Sequence, residues 1–423
     1  VTIDNKHVDI VFLHRLILWM MSFYLLADIA SGFFVLQIGI DLKLSLIYKL
    51  VLFILLLSMI ARYQFTTFLI LWCVIAILLL SPTVEYFRLP VLAFYIADTS
   101  LVIKLLMPLI VFIYLSIIHQ IIPSYTIKWI TFALWANFTI LIGNLALGGL
   151  GFGRPSYQLA GDATVGSNGY IYAANELGAA FVVLFGFALH MVWNYHRKFY
   201  ILVALFTLAC GVLVATKTAM LASFLLVFLI PVFNERDRFF KLTKLKIILF
   251  LPAFCIVAAV VFFITDFLKA IGSYDHIMWI LSQKGIIGIL WSGRDEFSAD
   301  LLDIYIQQST LFQQIFGQGG GGVAEHVGLK YSAEVDAIDA LVWFGFFGLI
   351  ICLSINLFFI VKSAQLFQFR TSLMAPCVLL VNIILLFLSQ FSGHVWMSGT
   401  LGIGLGLLNA LLLLEKGQEV KQC

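Results

Sequence analysis

Apolar runs of about twenty residues, parted by short polar breaks, recur along most of this 423-residue chain. About 20 residues at 1.5 Å rise cross a hydrocarbon core about 30 Å thick. The pattern therefore predicts twelve membrane-spanning helices, over 13–38, 44–61, 65–81, 99–119, 127–148, 173–193, 199–215, 219–233, 247–264, 336–361, 372–390 and 396–414. The implied architecture is all-α and polytopic, with helices one to nine in 1–264, one large loop over 265–335, and helices ten to twelve in 336–423. The first run lacks a short apolar core followed by a small-residue cleavage site, so it is expected to be an uncleaved signal anchor.

Composition agrees with a membrane protein. The chain is 62% hydrophobic and 11% charged, against about 45–50% and about 25% in soluble domains. The net charge of +3 and the scattered Lys and Arg residues exclude a nucleic-acid surface and serve better as topology signals. With a cytoplasmic N-terminus, 15 of the 25 basic residues fall at cytoplasmic ends, among them Arg62, Lys128, Arg197, Arg236, Lys244 and Arg370. Both termini are then cytoplasmic, and 265–335 faces the exterior. The six cysteines show no CxxC and no Cys/His cluster, so neither a zinc site nor a disulfide framework is expected.

The candidate chemistry gathers at that exterior face. Ten of the 22 acidic residues lie between Asp266 and Asp339. The Gly-rich loop 149–172 carries Arg154 and Asp162. Lys217 stands at a tight corner between two apolar arms of about 16 residues, roughly 24 Å of helix each, so the corner should be recessed and a cation there needs a partner or must snorkel. Arg294 opens an amphipathic run over 295–316, with Phe297, Leu301, Tyr305, Phe312 and Phe316 roughly on one face and Ser292 resembling a cap. A cation at a helix N-terminus has the wrong sign for the dipole. A nearby anion such as pyrophosphate explains it, and so does an ion pair with Asp295, Glu296 or Asp300. Asp336 and Asp339 suit an N-cap and first turn. Glu334, just outside, is a candidate general base, with His394 or Asp336 as alternatives. Asn144, Asn175 and Glu176 are weaker candidates at helix ends, and Asp28 is a charge within an apolar run that serves either function or helix packing. Asp295, Asp300 and Asp303 share one loop without metal-ligand spacing, so no metal is assigned. The absence of a Rossmann GxGxxG or a P-loop argues against a nucleotide sugar, and no cofactor is assigned.

These residues resemble local patterns of the superfamily of O-antigen polymerases (Wzy-type) and O-antigen ligases (WaaL-type). Ala174-Asn175-Glu176-Leu177-Gly178 is similar to the Asn-x-Leu-type entry of a mid-chain helix, and Thr216-Lys217-Thr218-Ala219 to a Ser-Arg-Thr-type turn with lysine for arginine. Ser292-Gly293-Arg294 resembles the family's Gly-Arg, and Phe316-Gly317-Gln318-Gly319 its Phe-Gly-x-Gly. Gly345 and Gly348 match the end of the ligase His-(Asn/Ser/Gln)-x9-Gly-x-x-Gly motif, but the histidine position holds Glu334. The resemblance implies a GT-C-like glycosyltransferase of the bacterial inner membrane in lipopolysaccharide or capsule biosynthesis, joining glycans carried on undecaprenyl pyrophosphate. It implies pyrophosphate binding by Arg294, Lys217 and Arg154, and catalysis by Glu334, His394 and Asp336. A chain-length regulator is a further implied partner. The alternatives are a ligase acting on lipid A-core, which the missing histidine weakens, and a flippase for lipid-linked oligosaccharides.

Overall fold

A computed structural model describes residues 5–158, 164–270, 274–291, 293–328 and 332–414. The helices in chain order are α1 (Asn5–Ser22), α2 (Tyr24–Phe33), α3 (Leu44–Tyr63), α4 (Phe65–Arg88), α5 (Leu92–Ile121), α6 (Pro123–Gly149), α7 (Ala174–Tyr195), α8 (Tyr200–Val214), α9 (Lys217–Asn234), α10 (Lys244–Ala270) and α11 (Tyr274–Trp291). They continue with α12 (Arg294–Asp303), α13 (Leu311–Phe316), α14 (Gly319–Val327), α15 (Asp336–Phe369), α16 (Ala375–Leu388) and α17 (Gly402–Ala410). A two-stranded antiparallel pair, β1 (Tyr157–Gln158) with β2 (Thr164–Val165), is the only sheet among the described residues.

Among the described residues nine helices are long and apolar enough to cross a membrane, or ten if the bent pair Phe12–Ser22 and Tyr24–Ile38 is one span. The last two expected spans are shorter helices, Ala375–Leu388 and Gly402–Leu413. Large apolar side chains such as Phe254 and Phe262 on α10 and Ile201 on α8 are exposed, as lipid-facing residues are and residues of a soluble protein rarely are. The protein is membrane-embedded and predominantly helical.

The 55° bend between α1 and α2 frees backbone groups that lipid does not satisfy. Asn137 of α6 supplies the partners: its Oδ1 accepts from the Leu25 N–H at 3.3 Å and its Nδ2 donates to the Met21 carbonyl at 3.1 Å. The core lies around α7, where Phe181, Phe185 and Phe187 are fully buried. Helix α17 packs closely on α5 because Gly402 and Gly406 leave room for Met107 and Val111, the small-residue packing that membrane helices favour.

The stretch 265–335 differs from the expected loop. Helix α10 runs through it to Ala270, and α11, α12, α13 and α14 fill most of the rest. The amphipathic run is broken: α12 gives way to a π-turn over Ile304–Gln308, and Thr310 starts α13 with a capping box to Gln313. A side chain that satisfies two orphan donors at Thr310 favours a new helix there over continuation of the old one. Gly317 and Gly345 face one another at positive φ (94° and 68°), and a Cβ on either would collide with the other's strand of backbone. The Gln318 N–H donates to the Val342 carbonyl at 3.0 Å beside this crossing, and Asp98 accepts the Gly320 N–H at 3.0 Å. The Phe-Gly-x-Gly and Gly-x-x-Gly patterns are therefore one backbone crossing that fixes α13 and α14 against α15 and α4.

Candidate functional site

Contacts bring several helix ends together: Gly149 at the end of α6 lies against Leu213 near the end of α8, Gly178 near the start of α7 against Thr218 near the start of α9, and Lys217 within electrostatic range of Arg294, which pairs with Glu334 just before α15. Residues 150–158 and 164–172 tie these ends together: Ser156 Oγ donates to the Val214 carbonyl at 2.6 Å, the Ser167 N–H to the Leu213 carbonyl at 2.9 Å, and Asn144 holds Asn168 and Tyr170. At the opposite end Arg236 Nη2 donates to the Ser372 carbonyl at 2.5 Å and Arg370 pairs with Asp237 at 2.6 Å. The basic turns counted as cytoplasmic thus meet on the face away from Lys217 and Glu334.

Arg294 is the centre of the site. Its Nη2 lies 2.7 Å and its Nε 3.2 Å from Glu334 Oε2, and its Nη1 donates to the Phe391 carbonyl at 2.6 Å. The expected partners Asp295, Glu296 and Asp300 are not the acceptors in these bonds. Sequence reading gave the two residues separate roles, a pyrophosphate-binding cation and a general base, whereas the structure joins them in one ion pair. The Ser292 cap lies outside the described residues; α12 starts from Gly293, at φ 81° and without a side-chain cap.

Two backbone strains frame this pair. Glu334 and His394 are non-glycine residues at φ 57° and 56°, a conformation that costs roughly 1–2 kcal/mol. Gly393, at φ 60°, lies directly on the Glu334 backbone, where a Cβ would collide with its carbonyl. Strain of this kind persists only where neighbouring structure over-determines it, and it clusters at functional sites.

Asp336 supplies much of that constraint and is not the expected cap. The N-cap of α15 is Val335. Asp336 is buried, and its Oδ2 accepts the Val395 and Trp396 N–H groups at 2.8 and 2.9 Å while its own N–H donates to the Ser389 carbonyl. It positions the 391–401 turn, and His394 with it. Asp339 likewise accepts the Ala333 N–H at 2.7 Å and the Ser332 hydroxyl at 2.8 Å, setting the approach to Glu334. Replacing Asp336 with alanine strands two buried donors, about 1–3 kcal/mol each. The expected outcome is a clear loss of thermal stability in detergent, partly restored in Asp336→Asn, whose amide oxygen still accepts.

Lys217 opens α9 behind its cap Thr216, whose hydroxyl accepts the Ala219 N–H at 3.1 Å, after Ala215 turns the chain at φ 57°. Its side chain is exposed and lies within electrostatic range of Arg294. Tyr157 of β1 also approaches Arg294. Burial raises its phenol above the ordinary value, and the guanidinium draws it partly back. Lys217 and Arg294 thus give this corner two cations, one of them bound to Glu334. His394 stands within electrostatic range of Asp336, Asp339 and Glu176.

Arg154 is not part of the Arg294 pair. Its backbone bridges Gly169 and its guanidinium lies 4.6 Å over the Tyr172 ring. Asp162 lies outside the described residues. Among the described residues no three His, Cys, Asp or Glu side chains gather as metal ligands.

Sequence reading missed a second polar centre. Lys49 Nζ is 2.5 Å from Asp28 Oδ1, Ser45 also donates to Asp28, and Lys104 Nζ lies 3.7 Å from Glu176 Oε1. Glu176 also accepts the Thr400 N–H at 2.9 Å and the Ser398 hydroxyl at 3.2 Å. Asp28, Lys49 and Lys104, each a charge in an apolar run, were the available signal. Taken singly, none names its partner.

No family model, no curated protein and no solved structure matches this chain.

Proposed function

We propose that this protein is a lipid-pyrophosphate-dependent glycosyltransferase, a polymerase that extends a polysaccharide outside the bacterial inner membrane. The observation that carries the reading is the Arg294–Glu334 ion pair beside Lys217 and His394 on the face opposite the basic turns. The resemblance to O-antigen polymerases favours the same chemistry, with a GT-C-like plan of about twelve spans. Its partners are then undecaprenyl-pyrophosphate-linked glycans, with a chain-length regulator beside it.

The pair accounts for the reaction as an exchange. A pyrophosphate has more charge and more acceptor oxygens than one carboxylate, so it competes with Glu334 for the fork of Arg294. Binding of the donor frees the Glu334 carboxylate beside the reacting centre. An acceptor hydroxyl attacks the anomeric carbon, its proton passes to Glu334, and the bond from carbon to the pyrophosphate oxygen breaks. The leaving oxygen keeps the electron pair, and Arg294 and Lys217 stabilise its charge. His394 is the alternative proton acceptor. Asp336 acts by holding the turn.

Incubating the purified protein with a lipid-linked repeat unit tests the reading. A ladder of longer lipid-linked products is expected, and unchanged substrate would overturn it. Transfer to lipid A-core alone would favour a ligase. Substrate moved across the bilayer without elongation would favour a flippase.

Two further outcomes follow from the same reading. Cysteine labelling should place residues 332–335 and 391–394 outside the cell and 236–243 inside; the reverse would remove the proposed substrate from reach. Lys217→Arg should retain most activity, whereas Lys217→Met should lose it while still inserting, because the corner needs charge more than shape. Equal rates in the two would leave Lys217 a snorkelling residue.

A further inference from the structure

A cavity of about 460 Å³ lies apart from the Arg294 corner, between α2, α3, α5 and α7. Its floor is Gly399, where an added Cβ would stand 3.1 Å from Lys104 Cε, 3.2 Å from Lys49 Nζ and 3.6 Å from Glu176 Oε2. Tyr172, 60% exposed, forms a wall, with Arg154 over its ring.

Charge and hydrogen bonding narrow the occupant. Three acids (Asp28, Asp41, Glu176) face three lysines (Lys43, Lys49, Lys104), so the lining favours neither a strong anion nor a cation. Two polar groups of the lining are incompletely satisfied. Asp28 Oδ2 is buried without a hydrogen-bond partner, an acceptor whose desolvation is uncompensated. Lys104, 28% exposed on its side chain, lies 3.7 Å from Glu176, beyond hydrogen-bond length, and so has donor capacity left. An unsatisfied acceptor and an accessible donor in a net-neutral pocket suit hydroxyl groups, which both donate and accept. An exposed aromatic wall suits the apolar face of a ring. The size falls within the range of small-molecule sites, about 300–1,000 Å³.

We propose that this cavity is a sugar-binding subsite that holds one unit of the acceptor glycan. The cavity shares the 391–401 turn with the Arg294 site: Thr400 and Ser398 hold Glu176 on its floor, while His394 lies near both Glu176 and Asp336. A sugar seated here therefore presents its neighbouring unit to Glu334 and His394. That the sugar is the acceptor's rests on the transferase reading, whereas sugar binding itself does not.

The test uses the full chain in lipid nanodiscs and two soluble probes measured by calorimetry: the delipidated repeat-unit oligosaccharide released by mild acid from the producing bacterium, and inorganic pyrophosphate. Tyr172→Ala and Lys104→Met should weaken oligosaccharide binding at least tenfold and leave pyrophosphate binding within twofold. Tyr172→Phe, which keeps the ring, should bind nearly as the wild type does and so separates loss of the wall from misfolding. Arg294→Gln should reverse the pattern, weakening pyrophosphate binding and leaving oligosaccharide binding within twofold. Oligosaccharide that fails to bind the wild-type protein, or binds both cavity variants unchanged, would overturn the subsite, and pyrophosphate lost in those variants would make it an anion site instead. If oligosaccharide binds as expected but lipid-linked units are never elongated, the transferase reading fails and the sugar subsite stands.

Discussion

Replacing Arg294 with glutamine is expected to slow glycan transfer by a hundredfold or more, about 3–4 kcal/mol of transition-state stabilisation, with a smaller loss of donor affinity. The guanidinium meets Glu334 and the Phe391 carbonyl through separate nitrogens, so its removal takes charge from the leaving pyrophosphate and one bond from Phe391, while Asp336 still holds the turn at 395–396. Arg294→Lys restores charge without the planar fork and should recover only part of the rate. Single-turnover transfer from a lipid-linked donor, measured beside donor binding, separates the two effects. An Arg294→Gln protein with wild-type turnover would confine the residue to a structural pair.

Glu334→Gln has the other large effect. Glutamine keeps the shape and can still accept a hydrogen bond from Arg294, but it cannot take the acceptor's proton, so transfer should fall by about 10²–10⁴ while donor still binds. Lipid-linked repeat units then accumulate unpolymerised outside the membrane; accumulation inside would be the mark of a flippase. Because Arg294 and Glu334 are one unit, the double variant should be little slower than the slower single one. Simple multiplication of the two losses would show that they act independently. Polymer of normal length and rate in Glu334→Gln would transfer the base role to His394.

The Arg294–Glu334 pair also marks how far local pattern reaches. Arg294 stood out because a cation at a helix start opposes the dipole, and Glu334 because it lies just outside α15, so both were legible singly. Their contact was not, since they lie 40 positions apart in the chain with helices between them. Asp336 misled for a related reason. A carboxylate at a helix start usually serves that helix, yet this one serves the 395–396 backbone, which no spacing within 336–339 encodes. The unbroken helix expected over 295–316 gave way at Thr310, where a local capping box outcompeted the longer apolar period.

By itself the sequence determined that the chain is helical and membrane-embedded, because an apolar run of sufficient length in lipid must satisfy its backbone internally and helix is the local solution. It also singled out Lys217, Arg294, Glu334 and His394 one by one. Only the tertiary structure decided which charges meet: Arg294 with Glu334, Asp28 with Lys49, Glu176 with Lys104 and the Thr400 N–H. A charge buried among helices must find a partner. Which partner it finds depends on how helices distant in sequence pack, and the glycines at 317, 345, 393 and 399 set that packing by admitting backbone or charged side chains where any side chain of their own would intrude.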